Sequence, residues 1–114
     1  MFILEISIEE LNETAMQIIL HAGNCRTILN DALHELIAEG NDPEVDAKLK
    51  EAKKEITLAH KIQTDMIQST IENEKLQTTL LFTHAQDTLM TINSEMFLAH
   101  HMVQMYRRLK NQEV

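Results

Sequence analysis

The stretch Thr83-His84-Ala85-Gln86-Asp87-Thr88-Leu89-Met90-Thr91 holds the residues whose types and spacing could do chemistry. His84 and Asp87 stand three residues apart, so on a helix both project from one side. A neutral imidazole is a competent nucleophile toward a phosphoryl group. Phosphoryl transfer asks a protein mainly for positioning and charge stabilisation, so no elaborate catalytic array is required. Gln86 is a nearby polar group available in support. The plainer reading of the same residues is a solvated helical face.

Other chemistries find less support. Di-iron bundles use Glu-x-x-His motifs on separate helices. None of the six histidines has Glu three residues before it, and Asp31-x-x-His34 stands alone. There is no His-Glu-x-x-His run and no cysteine pair for zinc. His100 and His101 are adjacent, so on a helix they point about 100° apart and are poorly placed to share an ion. No Gly-x-Ser-x-Gly elbow is present. Cys25 falls in an apolar stripe and reads as a core thiol rather than a nucleophile. His21, His34, His60, His100 and His101 read as partly buried or surface side chains, and the seven methionines as core or adaptable interface.

Three helices must carry these residues. Ser7-Ile8-Glu9-Glu10 has the form of a capping box with Ser7 as N-cap. Ile8, Leu11, Ala15, Ile18, Ala22, Cys25, Leu29, Ala32 and Leu36 then recur at helical spacing, and Gly40 is the expected stop. Gly23, in mid-helix, costs about 1 kcal/mol relative to Ala. It implies either close helix–helix approach or the approach of a backbone or ligand. Asp42 reads as the next N-cap and Pro43 as the first helical residue. Val45, Leu49, Ala52, Ile56, Ala59, Met66 and Thr70 form the second stripe, with Gln63 as its polar member. Lys48, Glu51, Lys54, Glu55 and Lys61 form the wet face opposite. A polar connection, Ile71-Glu72-Asn73-Glu74-Lys75, leads to a third helix from about Lys75 to Lys110, roughly 54 Å long.

The third helix has two stripes. One is Phe82, Ala85, Leu89, Ile92, Met96, Ala99, Val103 and Tyr106. The other is Leu80, His84, Asp87, Thr91, Leu98, Met102, Met105 and Leu109. A helix apolar on two sides is buried on both. Two other helices cover only one side well, so the second stripe predicts self-association of parallel copies about a symmetry axis. The expected architecture is one all-α domain over residues 1–114, an antiparallel three-helix bundle that assembles through its third helix.

Composition agrees. The chain has 114 residues, 44% hydrophobic, with 2 Gly and 1 Pro, which favours helices over sheet. A net charge of −8 argues against nucleic acid. Met1-Phe2-Ile3-Leu4-Glu5-Ile6 lacks the basic start of a signal peptide. No run approaches the roughly 20 apolar residues of a membrane span. A single cysteine fits a reducing compartment, and a cytoplasmic location is expected.

His84-Ala85-Gln86-Asp87-Thr88-Leu89-Met90-Thr91 resembles the signature of the enzyme IIA component of the lactose/cellobiose-type phosphotransferase system, typically His-Ala-Gln-Asp-His-Leu-Met. Ile18-Ile19-Leu20-His21-Ala22-Gly23-Asn24-Cys25-Arg26 resembles the family's first-helix segment. Ala59-His60-Lys61-Ile62-Gln63-Thr64 resembles its second-helix Ala-His-x-x-Gln-Thr segment. The resemblance implies a homotrimer of three-helix subunits. It implies that His84 takes phosphate from phospho-HPr on Nε2 and passes it to a cysteine of the cognate IIB component. Sugar of the lactose, cellobiose or chitobiose class is then phosphorylated during transport by the membrane IIC component. Asp87 matches the aspartate that, from three subunits, surrounds an axial metal, commonly magnesium. Three converging carboxylates repel, by about 3 kcal/mol per pair at ~5 Å and an effective dielectric near 20, and a hard cation relieves this structurally.

Two departures stand out. The family's second histidine is Thr88 here, and the connection Glu72-Asn73-Glu74-Lys75 lacks the usual Gly. The competing classes are a histidine phosphotransfer domain, which usually shows His-x-x-Lys-Gly, and a helical adaptor that oligomerises without chemistry.

Overall fold

The computed structural model describes residues 7–38, 40–72 and 77–112. They form three helices, α1 (Ile8–Ala38), α2 (Asp42–Glu72) and α3 (Leu80–Asn111). The all-α expectation holds.

Each helix start is fixed by a side chain. Ser7 Oγ accepts a hydrogen bond from the Glu10 N–H at 3.0 Å, so α1 begins where the capping box places it. Gly40 closes α1 with φ +67, a conformation without steric cost only for glycine, and its N–H donates to Glu35 O at 2.9 Å. The start of α2 differs from expectation by one residue. Asn41, not Asp42, is the N-cap: its Oδ1 accepts from the Glu44 N–H at 3.3 Å, and its carbonyl takes the first helical bond, from Val45. Both residue types cap well, and the choice of Asn41 leaves the Asp42 carboxylate for Arg107, whose Nε donates to it at 2.9 Å.

The larger correction is at α3. A start near Lys75 fails, because Gln77, Thr78 and Thr79 are not helical and α2 continues through Ile71 and Glu72. Asn73–Leu76 lie outside the described residues. Thr79 is the N-cap. Its Oγ1 accepts from the Phe82 N–H at 3.1 Å and donates to Asn12 Oδ1 at 2.7 Å. Nothing in residues 75–78 breaks a helix by type; the boundary is set by a contact with α1.

Direction follows from the contacts. Asn12 meets Thr79 and Arg26 meets Glu95, so α1 and α3 run parallel. Arg107, near the end of α3, bridges Asp42 and Asp46 at the start of α2, so α2 runs against both. Burial works against the Arg107 charge, and the two carboxylates more than offset it, Asp46 first.

The core is the expected one. Leu11, Ala15, Ile18, Ala22, Cys25, Leu29, Ala32 and Leu36 are buried on α1, as are Val45, Ala52, Ile56 and Ala59 on α2. Phe82, Ala85, Leu89, Ile92, Ala99 and Val103 complete it from α3. Ile8 is 63% exposed, so the stripe begins at Leu11, and Leu49, Met66, Thr70, Met96 and Tyr106 of the expected stripes are half-buried. A Cβ added at Gly23 would meet nothing within 4 Å, so close approach of helices within the chain does not explain that glycine.

The bundle is long and thin. Its extents are 68 × 24 × 16 Å and its radius of gyration is 18.0 Å, against about 13 Å for a compact domain of this length. α1 packs well on both neighbours, while α2 and α3 meet much less. One side of α3 is therefore left uncovered.

Replacing Thr79 by Ala removes the α3 cap and orphans the Asn12 contact. The expected loss is about 1–2 kcal/mol, read as a lower urea midpoint at unchanged m.

Candidate functional site

His84 lies in the second turn of α3, just past the Thr79 cap. Its side chain is exposed, and among the described residues its ring makes no hydrogen bond. The Thr88 hydroxyl, where the related motif has a second imidazole, donates to the His84 carbonyl at 2.9 Å. Thr88 thereby occupies itself with the backbone and leaves the His84 ring free. Asp87, one turn on, is also exposed and forms no ion pair among the described residues. The helical repeat sets the two side chains on one face, with Cβ atoms about 5–6 Å apart.

Gln86 is not on that face. Two residues along a helix are about 200° around it. Gln86 is half-buried and lines a cavity of about 250 Å³ with Leu11, Ile67, Thr78 and Phe82, at the end of the bundle near the Thr79 cap. Within one chain the structure brings His84 and Asp87 together and turns Gln86 away.

The second stripe of α3 extends this face along the bundle. Leu98, Met102, Met105 and Leu109 are 52%, 57%, 63% and 62% exposed. These are large apolar side chains at consecutive turns on the side that neither α1 nor α2 covers. Beside them, Arg26 of α1 bridges to Glu95 through Nε at 2.8 Å and Nη2 at 3.1 Å. The Glu95 hydrogen bond raises the Arg26 pKa further. This tie fixes α1 against α3 alongside the functional face. The two residues are 69 apart in sequence, and no local pattern signals the pair.

The remaining histidines have structural partners or lie apart. His21 Nδ1 meets Glu55 Oε2 at 2.7 Å across α1 and α2. His101 packs against Phe97 with the rings tilted by 50° and centroids 4.6 Å apart, and its Nδ1 meets the Phe97 carbonyl at 2.9 Å. The His100 and His101 rings stand nearly perpendicular at 5.9 Å, in keeping with adjacent helical positions. Among the described residues, no three His, Cys, Asp or Glu side chains converge to hold a metal ion. No described helix is long and apolar enough to cross a membrane.

The chain resembles known proteins over most of its length. Residues 13–107 match the family described as the lactose/cellobiose-specific IIA subunit of the PTS system. The lichenan-specific phosphotransferase enzyme IIA component of Bacillus subtilis is 36% identical over 91% of this chain and 94% of its own length. The lactose-specific EIIA component of Lactococcus lactis is 31% identical over 88% and 94%. The crystal structure of PtcA from S. mutans superposes with TM-score 0.83 at 34% identity, covering 90% of this chain and 99% of that one. The cellobiose-specific enzyme IIA of Bacillus anthracis gives TM-score 0.81 at 33% identity, covering 94% and 95%.

Cys25 is buried, and burial, followed by Glu55 and Glu95, pushes its thiol up to about 11. A raised folded pKa means the unfolded thiol ionises first. Stability from this residue is full below about pH 9 and is lost as pH rises toward 11. Native protein at pH 8 should resist a thiol reagent. Cys25→Ala should lose the part of the alkaline decline in urea midpoint that wild type shows between those values.

Proposed function

The chain belongs to the lactose/cellobiose-specific IIA family of the phosphotransferase system, and from that premise we propose that His84 is its phosphoryl acceptor. The observation that carries this reading is the exposed, unpaired His84 ring at the start of α3, within the family-like His-Ala-Gln-Asp run. Phospho-HPr is the donor. The Nε2 lone pair attacks phosphorus, the bond from phosphorus to its donor atom breaks, and a phosphoryl group moves to the ring. A thiolate of the cognate IIB component then attacks the same phosphorus. The nitrogen–phosphorus bond breaks and the imidazole returns neutral. Exposure supports both steps, because donor and acceptor are proteins that must reach the ring in turn.

The protein works in the cytoplasm, upstream of a membrane IIC component. Its sugar is of the β-linked oligosaccharide class, for which its relatives are named: lichenan, oligo-β-mannoside, N,N'-diacetylchitobiose and lactose.

The subunits form a homotrimer about parallel α3 helices. The exposed run Leu98, Met102, Met105 and Leu109 supports this, as does the thin bundle that leaves it bare. Association on that side brings one Asp87 per subunit toward the axis. The donor set is then carboxylate oxygen only, which fits a hard cation such as magnesium. The ion supplies charge neutralisation and takes no part in the transfer; Asp87 holds it.

Incubation with enzyme I, HPr and phosphoenolpyruvate should label wild type and leave His84→Ala unlabelled at unchanged helicity. Label retained by the variant rules out His84. Asp87→Leu should remain trimeric in the ultracentrifuge. A chelator should lower the wild-type Tm and leave that of Asp87→Leu unmoved; an equal fall in both excludes the axial metal.

A further inference from the structure

The three helices do not close the end of the bundle at which α3 begins. There α1 also begins and α2 ends. Leu11, Ile67, Ile71, Thr78 and Phe82 line a cleft of about 250 Å³ between them. Two apolar stripes run past the core beside it. Ile8, one turn before buried Leu11, is 63% exposed, and Ile71, one turn after half-buried Ile67, is 71% exposed. Pockets for small molecules run to roughly 300–1,000 Å³, so this smaller space suits one or two protein side chains.

The chain carries side chains of the right kind next to it. Residues 1–6, Met-Phe-Ile-Leu-Glu-Ile, lie outside the described residues and directly precede α1. Ser7 is the N-cap of a formed capping box, its Oγ accepting from the Glu10 N–H at 3.0 Å. Beside such a box, an apolar residue before the cap packs on the fourth helical residue and sets the angle at which the chain enters the helix. Here those two residues are Ile6 and Leu11, and Leu11 is a wall of the cleft. An extended chain alternates its sides, so Phe2, Leu4 and Ile6 share one wholly apolar face. At ~3.3 Å per residue, Phe2 reaches about 13 Å from Ile6, enough to cross to a helix packed about 8–10 Å away.

We propose that residues 2–6 fold back over this end of the bundle, with Ile6 on Leu11, and that Leu4 and Phe2 fill the cleft and cover Ile71. A tether this short holds the segment at the cleft at an effective concentration on the order of millimolar. The strap lies against Thr78 and Phe82, beside the Thr79 cap, and so secures the first turn of the helix that carries His84. It acts on the fold and is the same whatever reaction His84 performs.

Methyl and aromatic NOE spectra of the full chain should connect Ile6 to Leu11, and Leu4 and Phe2 to Ile67 and Ile71. Absence of any cross-peak from residues 2–6 to these side chains overturns the proposal. Cross-peaks into the cleft from Leu76 instead give it to the connection between α2 and α3, and overturn the proposal too. So do peaks that arise only between labelled and unlabelled subunits in a mixed sample, which give the cleft to a second copy. Substitutions then separate the two faces of the segment. At equal protein concentration Leu4→Ser should lower Tm by about 5 °C, and Ile3→Ser, on the other face, by about 1 °C or less. Amide exchange at Phe82 and Thr83 should quicken roughly tenfold in Leu4→Ser and stay unchanged in Ile3→Ser. Equal effects of the two variants, or none from either, overturn the strap.

Discussion

A helix has one circumference, and α3 divides it between two apolar demands. One side packs Phe82, Leu89, Ile92 and Val103 against α1 and α2. Another side carries Leu98, Met102, Met105 and Leu109 outward. Three helices in a thin layer cannot close over both. The bundle accordingly closes its own core, with no buried polar residue among the described ones although Arg107 Nη2 is buried without a hydrogen-bond partner, and leaves the second side bare. The ties between helices, Arg26 to Glu95 and Arg107 to Asp42 and Asp46, sit at the margins of that arrangement and fix the angle at which the bare side is presented.

The chemistry-bearing residues share this property of facing outward. His84 and Asp87 lie on the polar stretch of the second stripe. Neither is buried by its own chain, and the cavity that Gln86 lines is on the far side of the helix. The molecule is a platform that holds an imidazole at a defined place on a rigid helix. On the reading proposed above, reaction partners supply the rest of the surroundings when they arrive. Thr88, in place of a second imidazole, fits such a platform, because its hydroxyl turns to the backbone and adds no competing nucleophile.

Much of this was legible in the chain. Periodicity found the buried stripes of α1 and α3 nearly residue for residue, since a 3.6-residue repeat of apolar side chains leaves few alternatives. It failed where the deciding contact was remote. Residues 75–78 are acceptable helix formers, and only Thr79 reaching Asn12 delays α3 to Leu80. Two adjacent cap-forming residues, Asn41 and Asp42, were separable only through the claim of Arg107 on the second. Gln86 looked adjacent to His84 in sequence yet turns to another side, because proximity in sequence is not proximity on a helix. The residue types of the site were readable; the pairing of α1 with α3 beside it was not, since it joins positions 69 apart.

The bond between Thr79 and Asn12 also bears on the order of assembly. α1 and α2 are neighbours in sequence and pack on each other, the kind of contact that forms early. The cap of α3 draws on a residue 67 positions away, so its start is completed only after α1 is in place. On the ribosome, where elements emerge in sequence order, the first hairpin can settle before α3 is made. His84 rides on the element that docks last. A chain arrested midway would therefore hold α1 and α2 with the seam for α3 uncovered, and would lack His84, the residue proposed above as the phosphoryl acceptor.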